Sequence, residues 1–387
     1  MSKVFDLFII GGGINGAGIA RDAAGRGLSV CLADKGEIGG ATSSWSTKLI
    51  HGGLRYLENY EFKLVRESLK EREVIKKIAP YITKEVPFLL PHSSELRPIW
   101  LIKLGLILYD NIGGKTTIPK SQSVNFEKEY TSLLKDKYKK GFRYYDLQVD
   151  DKKLTELNAL DAKLNEAIIL ENTIISKLKR NQDSWDINLN GNKNIKCKIL
   201  INAAGPWINK VHRDLIKTNN FKKLRLVKGS HIITNKIHDY DCALTLQNKD
   251  KRIVFVIPYK DNFSLIGTTE VEVTNPDENI IDEHEIEYLL NSVNRYVNTS
   301  INRKDIISNY SGIRPLIEDF SSTASEVTRD YIFDLNTENN FAPLLSIYGG
   351  KLTTYRKLAE NVLLKLKNFL PQYQSKNWTS KKLLPNL

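Results

Sequence analysis

The sequence predicts a mixed α/β fold, in which a discontinuous α/β domain is interrupted by a second domain with antiparallel strands. Three observations support this prediction. Residues 5–34 have the pattern of a strand, a glycine turn, a helix and a second strand, and residues 344–366 repeat the strand, glycine turn and helix. Between them, residues 252–272 read as two alternating strands around a Lys-Asp-Asn turn, which is typical of an antiparallel hairpin.

The first element is a βαβ unit of the dinucleotide-binding type. Residues 5–10 are an apolar run, which predicts a buried parallel strand. Three glycines then complete G-x-G-x-x-G: Gly11, Gly13 and Gly16. The first permits the tight turn, the second lets the backbone approach a pyrophosphate, and the third allows the helix to pack closely on the strand. The second strand ends at Asp34, whose carboxylate can accept a hydrogen bond from a ribose hydroxyl. The unit predicts an adenine dinucleotide, and the alternative is an α/β turn that binds nothing.

Later elements bear on the choice between FAD and NAD, which the βαβ unit alone leaves open. Residues 41–58 form a hydroxyl-rich loop with two glycines, which would let the backbone lie close to a flat ring. Residues 199–207 read as a strand that meets a small-residue turn, and residues 224–234 as a further strand. Residues 61–79 predict a surface helix, because apolar side chains recur at helical spacing among charges: Leu64, Val65, Leu69, Ile75 and Ile78.

Composition indicates a cytoplasmic globular protein. The 387 residues are enough for two domains with sizeable cores, and a hydrophobic content of 41% is ordinary. The longest apolar run, residues 99–109, contains Lys103 and is shorter than the roughly 18 residues of a spanning helix. The N-terminus has no apolar segment with a cleavage site, so we expect no secretory signal. The spacing of the three cysteines predicts buried thiols and no metal site: Cys31, Cys197 and Cys242.

The net charge of +12 has two interpretations. Positive charge attracts anionic lipid, nucleic acid or a phosphorylated substrate, but the Lys-, Asn- and Ile-rich composition could produce much of the excess by itself. No basic block is interleaved with aromatic residues, so we expect no nucleic-acid partner.

Eight stretches together resemble one known family. They are IIGGGINGAGIARDAAGRGLSV, ATSSWSTKLIHGGLRYLENYEF, LVKGSHII, NKDKRIVFVIPY, IGTTEVE, YSGIRPL, TRDYIFD and GGKLTTYRKLAE. In this order, over about residues 5–384, they are similar to the FAD-dependent glycerol-3-phosphate dehydrogenases that pass electrons to quinone.

The resemblance implies a D-amino-acid-oxidase-like flavoprotein fold, with a Rossmann-like FAD-binding domain and a substrate domain whose antiparallel sheet covers the flavin. We expect the FAD-binding domain at residues 1–78, 147–214 and 340–371, the substrate domain at 79–146 and 215–339, and a C-terminal tail at 372–387.

The resemblance also implies which residues contact FAD. They are Gly11, Gly13, Asn15, Gly16, Asp34, Thr42, Ser43, Ser44, Lys48, Leu49, His51, Ala203, Gly205, Gly349, Gly350, Lys351, Leu352 and Thr353. Lys351 follows two glycines at the start of the last helix, so its charge and the helix N-terminus could stabilise the anion of reduced flavin. The alternative is a glycine turn with an exposed lysine.

For the substrate, glycerol 3-phosphate, the implied phosphate ligands are Arg314 and Arg329. Arg55 and Tyr56 are implied as further ligands and are called the substrate lobe below. A guanidinium binds phosphate oxygens in pairs, although an isolated arginine is more often a solvated charge or an ion-pair partner. Thr268 is a candidate hydrogen-bond partner of the substrate or a plain strand residue.

His231 is the candidate proton acceptor, because an imidazole titrates near working pH. A lone histidine in a strand is more often a hydrogen-bonded core residue. Arg314 could instead lower the pKa of the alcohol and make a dedicated base less important.

The implied electron acceptor is membrane quinone, so we expect a peripheral protein on the inner face of the cell membrane, with a homodimer possible. Residues 352–370 could form a basic amphipathic helix on the membrane or simply cover a sheet. Its apolar side would be Leu358, Val362, Leu363, Leu366 and Leu370.

The sequence departs from the family pattern in two places. Asp34 stands where relatives commonly have Glu, and relatives continue past residues 378–387 into an additional helical domain. Two alternatives to a dehydrogenase stay open. One is an oxidase that releases peroxide, because the sequence does not decide oxygen reactivity, and the other is a truncated flavoprotein without turnover.

Overall fold

The computed structural model describes residues 4–95, 97–318, 330–370 and 377–386. The strands are β1 Val4–Ile10, β2 Val30–Ala33, β3 Leu49–Ile50, β4 Thr83–His92, β5 Gln122–Asn125, β6 Lys140–Val149, β7 Ile168–Leu170, β8 Ile175–Arg180, β9 Trp185–Leu189, β10 Lys193–Asn202, β11 Leu224–Asn235, β12 Ala243–Gln247, β13 Ile253–Tyr259, β14 Phe263–Gly267, β15 Val271–Val273, β16 Ile306–Ile317, β17 Tyr331–Asn336 and β18 Leu344–Gly349. The helices are α1 Ile14–Ala24, α2 Phe62–Ile78, α3 Ile99–Ile112, α4 Phe126–Glu129, α5 Asp151–Leu164, α6 Ile208–Val211, α7 Glu283–Asn294 and α8 Tyr355–Leu366.

The first sheet is the predicted α/β layer. Its strand order is β17-β18-β10-β1-β2-β7, and every pair from β18 to β7 is parallel. Helices α1, α5 and α8 cover one face with alanine, leucine and isoleucine side chains, and the β8–β9 ribbon covers the other through Trp185 and Ile187. With both faces covered, β1 is buried from Phe5 to Ile10, as its largely apolar sequence predicts.

The second sheet is mainly antiparallel, with the order β15-β11-β14-β13-β12-β4-β6-β3, while β16 pairs with β11 and β5 with β6. The predicted hairpin is confirmed as β13 and β14, whereas β15 leaves it and pairs with β11. Helix α7 packs on one face, and α2 and α3 pack on the other.

The strands of the two sheets alternate along the chain. The first sheet takes its strands from 4–33, 168–202 and 331–349, which agrees with a discontinuous domain. Strand β3 lies within the predicted FAD-binding segment 1–78, but it pairs with β6 in the second sheet. The domain boundaries themselves stay a prediction.

The last helix covers the first sheet, which is the second of the two alternatives that its sequence left open. All five apolar side chains of its predicted membrane face are at most 2% exposed and pack with α1 against the sheet: Leu358, Val362, Leu363, Leu366 and Leu370. A short 3₁₀ turn, Leu352–Thr354, precedes α8, so Lys351 is not at the first turn of the α-helix.

Helix α3 carries an exposed apolar surface. Leu106 and Tyr109 are its buried residues, while five large apolar side chains on the other side are exposed: Trp100, Leu101, Leu104, Ile107 and Leu108. These five residues are called the α3 patch below. Among the described residues, no helix is both long and apolar enough to cross a membrane. The cysteines are free and buried, as predicted.

Two adjacent leucines of α8 test its packing. Leu363→Ala should lower the free energy of unfolding by about 2–5 kcal/mol, because it leaves a cavity beside α1. The control is Leu364→Ala, whose side chain is 53% exposed and which should change stability by less than about 0.5 kcal/mol. Urea unfolding followed by circular dichroism measures both. Equal, small effects would mean that α8 does not cover the sheet.

Candidate functional site

The glycine turn after β1 leaves no room for side chains. Gly11 has φ +103°, and a Cβ there would lie 2.6 Å from the Ala203 carbonyl oxygen. A Cβ on Gly16 would overlap the Gly11 carbonyl oxygen. The first amide of α1, at Ile14, donates to Ser43 Oγ at 2.9 Å, so the loop after β2 caps this helix.

Asp34 links the two strands of the βαβ unit. Its Oδ2 accepts the Gly12 amide at 2.6 Å and its Oδ1 accepts the Gly36 amide at 2.8 Å. A carboxylate has about four lone-pair positions, so these two bonds leave capacity for hydroxyl groups of a ligand. The residue lines the cleft at the carboxyl end of β2, where the sequence predicts ribose recognition.

A cleft of about 440 Å³ opens at the carboxyl ends of β1, β2 and β10. Predicted cofactor residues line it: Gly11, Gly13, Asp34, Thr42, Ser43, Ala203 and Gly205. Its outer wall adds Lys35 and Trp207, with the Lys35 ammonium 4.4 Å from the indole centroid. The Trp207 Nε1–H donates to Asp277 Oδ1 at 2.9 Å, which fixes the indole at the mouth of the cleft.

A second glycine turn, at Gly349 and Gly350, closes on the start of α1. Asn15 Nδ2 donates to the Gly349 carbonyl at 3.2 Å, while Asn15 Oδ1 is buried and has no partner among the described residues. Thr353 Oγ1 accepts the His51 amide at 3.3 Å, so the predicted residues 51 and 353 meet. This brings together three predicted segments, at residues 15, 51 and 349–353, that lie far apart in the sequence.

The loop 42–48 joins these turns to the second sheet. Thr42 Oγ1 donates to the Ile313 carbonyl at 2.9 Å, and Ser44 Oγ donates to the Ala41 carbonyl at 3.1 Å. The Lys48 ammonium donates to Asp151 at 2.6 Å, so its charge is paired with protein rather than presented to a ligand.

Two other predicted cofactor residues have apolar packing roles. Leu49 is 5% exposed in β3 and packs in the core of the second sheet, so any cofactor contact of this residue would be through its backbone. Leu352 is partly buried against the core that contains Ile14 and Tyr355.

Predicted substrate residues lie on three neighbouring strands of the second sheet: β11, β16 and the end of β14. Arg314 Nη2 donates to Thr268 Oγ1 at 2.9 Å. Both side chains lie over Gly229 of the neighbouring strand, because a Cβ there would be 2.5 Å from Arg314 Nη2 and 2.6 Å from Thr268 Oγ1. The absence of a side chain at 229 thus lets an arginine and a hydroxyl share one patch of the sheet.

His231 is completely enclosed beside this pair. Its ring is 1% exposed, stacks on Tyr310 at 4.8 Å, and occupies the space above Gly267. Nε2 lies 3.0 Å from Thr47 Oγ1, and Nδ1 is buried without a partner among the described residues. Burial, with the charges of Arg314 and Lys48, lowers the imidazole pKa well below 6.5, so the ring is neutral at neutral pH.

The substrate lobe, Arg55 and Tyr56, contacts the second glycine turn through Tyr56. The Lys351 ammonium lies 3.8 Å from the centroid of the Tyr56 ring, which is a close cation–π contact. Arg55 Nη1 lies 3.7 Å from Glu270 Oε1. The site therefore gathers Arg55, Tyr56, Lys351 and the Arg314–Thr268 pair, whereas Arg329 lies outside the described residues.

These groups fit FAD and an anionic ligand. The glycine turns exclude side chains where a pyrophosphate and a flat ring would lie, and the buried Asn15 Oδ1 offers an acceptor. Asp34 can hold the ribose, and Lys351 carries the positive charge suited to a reduced flavin.

Sequence reasoning missed several residues of the site. Trp207 ends the predicted strand and small-residue turn at residues 199–207 but was given no role, although a tryptophan beside such a turn could have indicated a cleft wall. Thr47, Glu270 and Asp151 gave no signal, because their partners are distant in the sequence.

Comparisons with known proteins identify the family of the chain. A sequence model of the family described as DAO, FAD dependent oxidoreductase, matches residues 6–356. The aerobic glycerol-3-phosphate dehydrogenase of Escherichia coli (strain K12) is 47% identical over 388 residues, which cover 98% of this chain and 76% of that protein. The D-erythritol 1-phosphate dehydrogenase of Brucella abortus (strain 2308) is 45% identical, covering 98% of this chain and 77% of that protein.

A solved structure has the same architecture. The glycerol-3-phosphate dehydrogenase from Bacillus halodurans, complexed with FAD, matches with a TM-score of 0.73 at 26% identity. The match covers 97% of this chain and 66% of that chain. The flavoprotein fold that the sequence predicts is confirmed.

Two glycine variants separate cofactor binding from folding. Gly13→Ala should raise the FAD dissociation constant about tenfold or more, because the new Cβ enters the cleft while its nearest protein atom, Ser43 Oγ, is 3.1 Å away. Its melting temperature without FAD should stay close to that of the unmodified chain. Gly16→Ala, which collides with Gly11, should also lower that melting temperature. Flavin fluorescence measures the FAD dissociation constant, and calorimetry measures the melting temperature. An unchanged FAD affinity in Gly13→Ala would contradict the assignment of Gly13 to the cofactor cleft.

Proposed function

The chain belongs to the DAO family of FAD-dependent oxidoreductases, and from this premise we propose that it oxidises sn-glycerol 3-phosphate at C2 to dihydroxyacetone phosphate. The observation that carries the proposal is that predicted cations and hydroxyl groups contact one another although they are distant in the sequence. Arg314 bonds to Thr268, Lys351 contacts Tyr56, and Arg55 is adjacent to Tyr56 and near Glu270, so four distant segments contribute. A small phosphorylated alcohol suits such a set.

The arginines would anchor the phosphate. Arg314 is half-buried on a rigid strand, and its hydrogen bond to Thr268 fixes the plane of the guanidinium. A fixed fork holds two phosphate oxygens and limits how the carbon chain lies, which orients C2 for reaction. Arg329 belongs to this proposal from the sequence alone.

The reaction also needs an acceptor for a hydride and one for a proton. FAD, when bound, supplies the electron acceptor that takes the C2 hydride at N5. His231 is neutral, so it can accept the alcohol proton, but its burial and the charges of Arg314 and Lys48 disfavour a lasting imidazolium. The same Arg314 charge would lower the pKa of a bound alcohol, which favours loss of the alcohol proton even though it weakens His231 as a base.

A second candidate substrate is D-erythritol 1-phosphate. A relative with that activity in its name is 45% identical, close to the 47% of the aerobic glycerol-3-phosphate dehydrogenase, so overall identity does not separate them. Both substrates carry a hydroxyl on the carbon next to the phosphorylated carbon. The phosphate anchor therefore serves either one, and chain length is the difference to test.

The electron acceptor that we propose is a quinone dissolved in the membrane, reached through the α3 patch. Trp100 is 65% exposed, Leu104 56% and Ile107 50%, and an apolar surface of this kind favours contact with lipid. Lys103 and Lys115 are exposed nearby and suit anionic headgroups. The inner side of α3 packs against Leu54 and Leu57, which flank the substrate lobe, so lipid-bound quinone would lie on the same side as the flavin.

Anaerobic reduction of the flavin tests the activity. Glycerol 3-phosphate should bleach the absorption near 450 nm of the purified yellow protein. Arg314→Lys should weaken substrate affinity by about 1.5–3 kcal/mol, because a lysine cannot replace the fork. Arg225→Lys is the control, since Arg225 lies on the partner strand of Arg314 and pairs with Glu272. Equal affinity in all three proteins would remove Arg314 from the phosphate site.

The same titration separates the alternatives. Bleaching by D-erythritol 1-phosphate at much lower concentration than by glycerol 3-phosphate would favour the second substrate. Recovery of colour with air and peroxide release would indicate an oxidase, and recovery with a soluble quinone a dehydrogenase. Flavin that neither phosphate reduces would overturn the proposed activity.

A charged residue in the α3 patch tests the membrane contact. Leu104→Glu should reduce binding to vesicles of anionic phospholipid about tenfold or more, because it buries a charge in lipid. The control is Ile280→Glu, at an 80% exposed side chain outside the patch. Vesicle co-sedimentation measures both. If Leu104→Glu leaves vesicle binding unchanged and instead dissociates a dimer in light scattering, the patch is a contact between two copies of the chain.

A further inference from the structure

The buried side of α3 makes a polar contact with the turn that leads to the substrate lobe. The Tyr109 hydroxyl accepts the Gly52 amide at 2.8 Å and donates to the Asp146 carboxylate, whose oxygens lie 3.0 and 2.9 Å away. Tyr109 is 2% exposed. This hydroxyl therefore uses both its donor and its acceptor capacity inside the protein.

Asp146 is itself held from the other side by Arg72 of α2. Arg72 Nη1 donates to Asp146 Oδ1 at 2.5 Å and to the Tyr145 carbonyl at 3.0 Å. Burial raises the pKa of Asp146 to about 6, and Arg72 and Tyr109 oppose that rise. The chain of contacts from Arg72 to Gly52 joins α2, β6 and α3 to a single backbone amide.

Gly52 is tightly enclosed at this contact. A Cβ there would lie 2.6 Å from Leu69 Cδ2 and 2.7 Å from Tyr109 Cε2, so backbone and tyrosine ring are in direct contact. The next residue, Gly53, has φ +78° and accepts the Tyr56 amide at 2.9 Å, which starts the 3₁₀ turn Leu54–Leu57. The position of the Gly52 amide thus determines where the side chains of the following turn point.

The preceding residue is fixed independently. The His51 amide donates to Thr353 Oγ1, in the second glycine turn, at 3.3 Å. Two consecutive amides are consequently bonded to different parts of the fold, one to the cofactor side and one to α3. Such a pair of anchors leaves little freedom to the segment that carries Arg55 and Tyr56.

We propose that Tyr109 is a positioning residue for the substrate lobe, acting through the Gly52 amide. The inference rests on the proposed function, in which Arg55 and Tyr56 bind the phosphate. Tyr109 touches neither substrate nor cofactor. Without its hydroxyl, the Gly52 amide loses its acceptor at 2.8 Å and keeps only the Asp146 carboxylate, which has itself lost the Tyr109 donor, so the turn shifts or opens. The dinucleotide cleft has its own contacts at Ser43 and Asp34, so FAD affinity stays unchanged.

The test compares two phenylalanine variants of neighbouring buried tyrosines. Tyr109→Phe removes the bond to Gly52, whereas Tyr144→Phe removes a bond to Thr245 Oγ1 of 2.8 Å in the same core. The two rings touch edge to face at 6.2 Å, so loss of one hydroxyl disturbs similar surroundings in each case. Both proteins are prepared with FAD.

The first readout is hydrogen exchange by mass spectrometry, which requires no turnover. Amides of residues 51–57 should exchange about tenfold faster in Tyr109→Phe than in the unmodified chain, and at an unchanged rate in Tyr144→Phe. The second readout is steady-state kinetics. Tyr109→Phe should raise KM about tenfold with kcat changed less than about threefold, while Tyr144→Phe should change neither.

Each other outcome counts against the proposal. Unchanged exchange in Tyr109→Phe overturns it, and so does faster exchange with an unchanged KM, or an equal rise of KM in both variants. A parent protein that neither phosphorylated alcohol reduces overturns the proposed function instead, while the exchange comparison still decides whether Tyr109 orders the turn.

Discussion

The two sheets are held together at the loop 42–48, and a single buried carboxylate fixes that loop. Asp151 is fully buried, with Oδ2 accepting the amide and hydroxyl of Ser46 and Oδ1 accepting the Lys48 ammonium. From this anchor the loop reaches α1 through Ser43 and the second sheet through Thr47, which contacts His231. A buried charge that lost these partners would be costly, so the loop has one stable position.

Much of the fold could be predicted from local pattern. The run of buried residues in β1, the glycine turn and the hairpin β13–β14 each arise from side chains within a few residues of one another. For α8 the sequence left two alternatives open, because an amphipathic helix looks the same whether its apolar side meets lipid or a sheet. Only the partner decides, and α1 is that partner.

The site was predictable to the extent that motifs mark backbone geometry. The glycines and Asp34 are visible because the turn requires them at fixed spacing, and Arg314, Thr268 and His231 came from the resemblance. The small residues that receive those side chains, Gly229 and Gly267, could not be identified, since their role depends on which strands become neighbours. Tyr109 could not be identified either, because an aromatic residue in an apolar helix does not indicate that its hydroxyl bonds to a distant turn.

The interleaved strand order of the first sheet also governs when the protein acquires its cofactor site during synthesis. β1 lies between β2 and β10, and β10 in turn needs β18, which emerges from the ribosome more than a hundred residues later. Such remote pairings form slowly, because a long chain segment must close before any contact compensates the lost entropy. We infer that the nascent N-terminal unit stays partly open until β18 has been synthesised, and that the opportunity for aggregation is greatest in that interval.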